Sequence, residues 1–179
     1  MAQTATVYNL TIDLADMDRN TYESISLRIA RQPSETAEYM LVRVLAYCLE
    51  YRDGIVLTEG VAAGNDPAIV VRDLTGQITA WIEVGLPDAA RLHRGMKLAG
   101  QAAVYTHRDV RKLISQLSSG KIYKSEEIPI YAFDPAFVDG IAPLIERRTG
   151  FSLSVTDREL YMNIAESEFT TTLGKHSIG

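Results

Sequence analysis

A chain of 179 residues with 46% apolar side chains is long enough to bury a full core and too apolar to remain disordered. Its one cysteine, Cys48, and three scattered histidines, His93, His107 and His176, exclude a disulfide framework and a multi-cysteine zinc cluster. A net charge of −5 argues against a nucleic-acid partner for the chain taken whole, but Arg91 to Lys124 carries +7 and the remainder −12, which permits a local basic surface. The opening MAQTATVYNL has no charged start followed by an apolar core, and no stretch approaches the ~18 to 20 apolar residues of a membrane span. One cytoplasmic domain over residues 1–179 is the expectation.

Taken in chain order, period-2 alternation at 6–14 and 24–30 predicts two strands joined by the polar turn ADMDRNTYE. Pro33 and Ser34 then open a helix, with Ser34 as the expected N-cap and Glu35 and Glu38 suited to the positive end of its dipole. Leu41, Val44, Leu45, Cys48 and Leu49 recur at helical spacing, so one face of that helix is core. It stops near Arg52-Asp53-Gly54. A short strand at 55–57 and a Gly/Asn/Asp-bearing loop lead to Asp66-Pro67. AIVVRD and QITAWIEVG follow as a hairpin across Leu74-Thr75-Gly76. Asp88 caps a second helix that turns Leu92 and Met96 inward. AAVYT at 102–106 is apolar throughout, as in mid-sheet strands. A third helix turns Val110, Leu113, Ile114 and Leu117 inward and Arg108, Arg111 and Lys112 outward. IPIYAF reads as a buried strand, and Asp134-Pro135 as cap and first residue of a fourth helix that Pro143 shortens. FSLSVT, ELYMNIA and EFTTTL predict a hairpin and one more strand. The fold class is α/β (α+β), a mixed sheet flanked by helices. The helix, three strands, helix, strand order is that of the αβββαβ core of PD-(D/E)XK nuclease-like folds, here with strands added at both ends.

The chemistry centres on Glu83. Alternation places Ile78, Ala80, Ile82 and Val84 on one face of the strand and Thr79, Trp81, Glu83 and Gly85 on the other. A carboxylate at the end of a buried strand must be paired or bound to a metal, because an isolated ion is costly to desolvate. Asp66 starts the preceding strand, so both acids approach one end of the sheet. Two such carboxylates suit Mg²⁺, which would activate water and stabilise charge on a scissile phosphate. Glu38, about 50 to 60° from the centre of the apolar stripe, is the third acid expected to look at the sheet, with Glu35 farther round toward solvent. The plainer alternatives are that Asp66 starts a turn, that Glu83 pairs with Arg94 or another cation, that both helix glutamates serve the dipole and that Ser34 is only a cap.

A nuclease of this type carries a lysine two residues after the acid, and here that position is Gly85. The cation must then come from Arg94 or Lys97, neighbours at i and i+3 on the second helix, with Gln101 as a neutral candidate. Solvent exposure is the competing reading for each. No G-x-S-x-G, Walker A, HExxH or GxGxxG pattern occurs. Cys48 lies on an apolar stripe as a packed thiol. Trp81 reads as core before it reads as a base-stacking residue, and the tyrosines form no evident stacking platform.

Several segments together resemble the YaeQ family of small bacterial proteins: ATVYNLTIDLADMDR, ARQPSETAEYMLVRVLAY, DPAIVVRDLTG, WIEVGLPDAARLHRG and AAVYTH. The resemblance runs over essentially the whole chain, and PSET-x-E and WIE-x-G-x-PD are its specific parts. It implies a variant of the PD-(D/E)XK nuclease core and carries over Pro33, Ser34, Glu35, Glu38, Glu83, Gly85, Pro87 and Asp88 as motif positions. The chain departs from the family pattern at Asn65-Asp66-Pro67, where two acids are usual before the proline, and at Arg94, where lysine is common. Two functions follow as expectations. One is a Mg²⁺-dependent nuclease with Glu38, Asp66 and Glu83 on the metal, Lys97 or Arg94 on phosphate, and Ser34, Glu35 and Gln101 in support. The other is a catalytically silent nuclease-like protein that binds nucleic acid or a protein partner through the 91–124 surface.

Overall fold

The computed structural model describes residues 4–59 and 64–178, so the loop expected before Asp66 lies partly outside the described residues. The chain forms two compact units, the first from residues up to Leu41 together with Phe133–Leu173, the second from Val42–Ala132 with residues from Gly174 onward.

The first unit holds a five-stranded sheet. The alternating segments at its start become β1 (Thr6–Asp16) and β2 (Thr21–Arg31), an antiparallel hairpin in which Leu10 opposes Leu27 and Ile12 opposes Ile25. β8 (Arg148–Thr156) adds to β1 in parallel, and β9 (Glu159–Ile164) and β10 (Ser167–Thr172) continue antiparallel, giving the order β10-β9-β8-β1-β2. Apolar side chains such as Leu10, Ile12, Leu14, Ile25, Leu27, Leu153 and Met162 are buried on one side, while Asn9, Thr11 and Asp13 face out. That is the one-sided burial period-2 alternation dictates. α4 (Pro135–Ile141) is capped by Asp134, which accepts from the Ala136 amide, and Pro143 falls in the 3-10 turn that ends it. Gly140 of α4 lies against Phe169 of β10.

α1 (Ala37–Leu49) starts two residues later than a cap at Ser34 implies. Its cap is Thr36, whose Oγ accepts from the Tyr39 amide at 3.0 Å, and not Ser34. Because Glu35 precedes the helix, projecting it round a helical wheel misplaced it. It is buried in the turn, 2% exposed, accepting from the Gln32 amide, whereas Glu38 in the first helical turn is half-exposed.

The second unit carries the predicted helix, three strands, helix, strand order. β3 (Ile55–Leu57), β4 (Ile69–Arg72) and β5 (Ile78–Val84) form an antiparallel meander. α2 (Ala89–Ala99) crosses to β6 (Ala102–Thr106), parallel to β5, and α3 (Val110–Ser118) crosses to β7 (Pro129–Ala132), parallel to β6. A final strand not anticipated from sequence, β11 (Gly174–Ser177), pairs with β7. The order is β11-β7-β6-β5-β4-β3, and the wholly buried AAVYT strand stands inside it. Trp81, Val104 and Ile130 from the sheet pack with Leu92, Met96, Leu113 and Leu117 from α2 and α3 in one core. On the opposite face, Tyr105 donates to the carboxylate of Glu50, which directly follows α1, and stacks on Tyr131 at 4.9 Å between ring centroids. Among the described residues, no helix is long and apolar enough to cross a membrane.

Candidate functional site

β5 delivers Glu83 to the α2 side of the sheet. Trp81, two residues earlier on the same face, fixes that orientation by packing into α2 at Gly95, where an added Cβ would fall 2.4 Å from the indole Cγ. Glu83 is therefore enclosed, 3% exposed, and needs a partner.

The partner is Arg91, in the first turn of α2. Its Nε donates to Glu83 Oε2 at 2.6 Å and its Nη2 to Oε1 at 3.2 Å, a fork-to-fork pair. The same guanidinium donates to the carbonyls of Gly64 at 3.1 Å and Asp66 at 2.7 Å. One arginine thus ties the end of β5 to the segment leading into β4. Burial pushes the Glu83 carboxyl above the usual carboxylate range, and the hydrogen bonds and charge of Arg91 pull it back only in part. Asp88 nearby adds to the rise. The Trp81 indole N–H favours the charged form weakly, without reaching hydrogen-bonding geometry.

In the sequence Arg91 is one more cation of the basic run. A signal was present, however. A positive side chain in the first turn of a helix faces the positive end of the macrodipole and is unfavourable there unless an anion offsets it. Asp88 supplies part of that offset by capping the Arg91 amide at 2.9 Å, and Glu83 supplies the rest.

The other expected site residues are distributed differently. Asp66 does reach the end of the sheet that Glu83 occupies, but it meets Arg91 through its main-chain carbonyl, and its side chain is exposed. Arg94 and Lys97 are exposed on α2, and Lys97 turns to the ring of Tyr123, 4.7 Å from its centroid. Gln101 immediately precedes β6, three residues before the partner of Glu83, roughly 10 Å along the chain. Its side chain accepts from Arg52 at 3.4 Å and lines a small cleft of about 100 Å³ with Glu50, Glu127 and Tyr131. Glu38, Ser34 and Glu35 belong to the first unit.

The residues do not fit the metal expected from sequence. Both Glu83 oxygens are engaged by one guanidinium, Asp66 offers a carbonyl already held by that guanidinium, and Gly85 takes the place of the lysine. Among the described residues, no group of three or more His, Cys, Asp or Glu side chains is arranged to hold an ion. Gly85 is itself structural. Its φ of 95° ends the strand in the left-handed region, and its N–H donates to the Tyr105 carbonyl at 2.9 Å. A lysine there would be strained.

Two mixed sheets flanked by helices, with a buried carboxylate closed by an arginine from the crossover helix, place the chain among α/β proteins of the helix, three-strand, helix, strand order. It belongs to the YaeQ family, whose model, described as YaeQ protein, matches residues 1–173. The YaeQ protein of Escherichia coli (strain K12) is 30% identical over 165 residues, covering 91% of each chain. That of Salmonella typhi is 26% identical over 174 residues, covering 97% of this chain and 96% of its own. Among solved structures, the YaeQ protein from Pseudomonas syringae superposes with a TM-score of 0.89 at 26% identity, covering 97% of both chains. The YaeQ protein from Xanthomonas axonopodis pv. citri gives 0.88 at 27% identity, covering 98% of this chain and all of its own.

Proposed function

We propose that this protein binds nucleic acid through the α2–α3 face of its second unit, using a nuclease-like arrangement for binding rather than hydrolysis. The observation that carries this reading is the division of labour among the cations of residues 91–124. Arg91 is spent on neutralising the one buried acid, and the others are exposed: Arg94 and Lys97 on α2, Arg108, Arg111 and Lys112 at the start of α3, Lys121 and Lys124 after it. The single acid in that run, Asp109, is consumed as the α3 cap, accepting from the Arg111 and Lys112 amides. Phosphates therefore meet a face of cations with little local competition, on a protein whose remaining surface is acidic and repels them. A cytoplasmic location, as expected from the sequence, suits such a partner.

The test is fluorescence anisotropy with a labelled oligonucleotide across a salt series. Binding should weaken with a log–log slope of about −3 to −4 for four phosphate contacts. Arg108→Glu combined with Lys112→Glu should abolish it. No binding at low salt, or binding indifferent to salt and to charge reversal, overturns the proposal. Mg²⁺-dependent cleavage that Glu83→Gln removes would overturn the choice of binding over hydrolysis.

A further inference from the structure

The segment after α3 turns back along α2 and presents one aromatic ring to solvent. Three residues of α2 spaced by four, Ala89, His93 and Lys97, form the stripe it follows. Gly120 approaches Ala89 so closely that an added Cβ would lie 2.3 Å from the alanine methyl. Three residues on, the Tyr123 amide donates to His93 Nδ1 at 3.0 Å. Lys124 then takes the left-handed conformation, φ 50° and ψ 44°, an uncommon setting for a residue with a side chain. The chain reverses there into the 3-10 turn Ser125–Glu127.

The result is a tyrosine with a pinned backbone that is 40% exposed. Two ammonium groups converge on that ring, Lys97 Nζ at 4.7 Å and Lys124 Nζ at 5.4 Å from its centroid. Each gains a little from the negative π face of the ring. Two like charges on one ring also repel each other, so the arrangement gains from an anion placed beside it. His93 holds the Tyr123 amide, and the exposed residues Lys121, Glu126 and Glu127 flank it in sequence. Glu127 lies 3.9 Å from Lys124, with both side chains more than half exposed. An ion pair of that kind contributes little and yields readily to a phosphate.

We propose that Tyr123 is a base-stacking anchor for single-stranded nucleic acid, with Lys97 and Lys124 as its phosphate clamps. A base needs a flat, exposed and fixed ring, and a strand needs cations within reach of that ring. Tyr123 supplies the first, and the two lysines, whose ammonium groups lie over the ring in the free protein, supply the second by swinging off its face to phosphate as a base takes their place. Stacked bases are unavailable to such a ring in an intact duplex, so the platform selects unpaired strands. This inference rests on the nucleic-acid reading above and adds to it the strand class and the contact that chooses it.

The experiment compares three labelled ligands of equal length on the wild-type protein and on Tyr123→Ala and Tyr123→Phe: a deoxyadenosine strand, an abasic strand of the same charge, and a duplex. Stacking on one tyrosine is worth roughly 10-fold in affinity. Tyr123→Ala should lose about that factor on the deoxyadenosine strand and less than twofold on the abasic strand. Tyr123→Phe should restore it, because the hydroxyl takes no part. The wild type should prefer the deoxyadenosine strand to the duplex, and Tyr123→Ala should lose that preference. Equal losses on base-bearing and abasic strands, or no loss on either, overturn the anchor while leaving the basic face standing. Failure of the wild type to bind any of the three overturns both.

Discussion

Arg91 meets Glu83 with two nitrogens, at 2.6 and 3.2 Å, and holds two main-chain carbonyls, of Gly64 and Asp66, with the same guanidinium. The pair is asymmetric in its exposure to water. The Glu83 side chain is 4% exposed and the Arg91 side chain 31%. Removing the arginine strands a desolvated charge, whereas neutralising the acid leaves an arginine that can still reach solvent.

That asymmetry orders the two variants. We predict that Arg91→Met destabilises the protein by about 2–3 kcal/mol at neutral pH, below the full cost of breaking a wholly buried pair because Arg91 is partly solvated. Glu83→Gln should cost about 1 kcal/mol, since the amide oxygen still accepts one of the two hydrogen bonds. Urea denaturation of the three proteins measures both. Equal costs would mean that burial of the carboxylate is not what the arginine answers.

The raised Glu83 carboxyl also gives a pH dependence whose sign is fixed. In the unfolded chain Glu83 loses its proton at the ordinary carboxylate pKa, while in the folded chain burial holds the proton to higher pH. Between those two values the unfolded state binds fewer protons, so the contribution of Glu83 to stability is full below the unfolded pKa and declines as pH rises through the folded one. Glu83→Gln should remove that decline. Arg91→Met should extend it to higher pH, because the pull toward the charged form is gone. Midpoints of urea unfolding at a series of pH values check this, and a difference between wild type and Glu83→Gln that is flat with pH would contradict it.

Much of this arrangement was legible in the sequence because it follows from spacing. Alternation located β1, β2 and β8 to β10, the apolar run located the mid-sheet strand β6, and the Asp88 and Asp134 caps located the starts of α2 and α4. What could not be read was pairing across long separations. β1 lies beside β8 in a sheet of its own, and β11 joins β7, neither of which a local pattern encodes. Glu83 was legible as an acid needing a partner, but its partner was not, because Arg94, Lys97 and Arg91 are all cations of one helix and only geometry decides which turns inward. Glu35 failed for a local reason: with Thr36 as the cap, the residue before it faces the turn and not the solvent.

Gly95 shows how tightly the indole fixes the face on which Glu83 lies. An alanine Cβ there would sit 2.4 Å from Trp81 Cγ and 2.5 Å from Cδ1. Replacing a mid-helix glycine by alanine ordinarily gains about 1 kcal/mol of helix propensity. Here overpacking of about 1–3 kcal/mol opposes it. We predict a net loss for Gly95→Ala, with a shifted emission spectrum, since Trp81 is the only tryptophan in the chain. Combining it with Trp81→Phe should recover most of the stability. A Gly95→Ala protein as stable as the parent would show that the helix and strand can separate at no cost.

Gly85 stands where the resemblance to PD-(D/E)XK nucleases would put a lysine, so Gly85→Lys tests whether the backbone itself requires glycine there. With φ at 95°, any side chain meets the steric cost of the left-handed region, about 1–2 kcal/mol. The amide of residue 85 must also keep its bond to the Tyr105 carbonyl, which holds β5 to β6 at the end carrying Glu83. We predict that Gly85→Lys is destabilised by about that amount and gains no Mg²⁺-dependent cleavage of a labelled oligonucleotide, because the carboxylate it would assist remains bound to Arg91. Urea midpoints and a gel assay decide the matter. Cleavage appearing in Gly85→Lys would mean that the Glu83–Arg91 pair opens to metal as soon as the lysine is supplied.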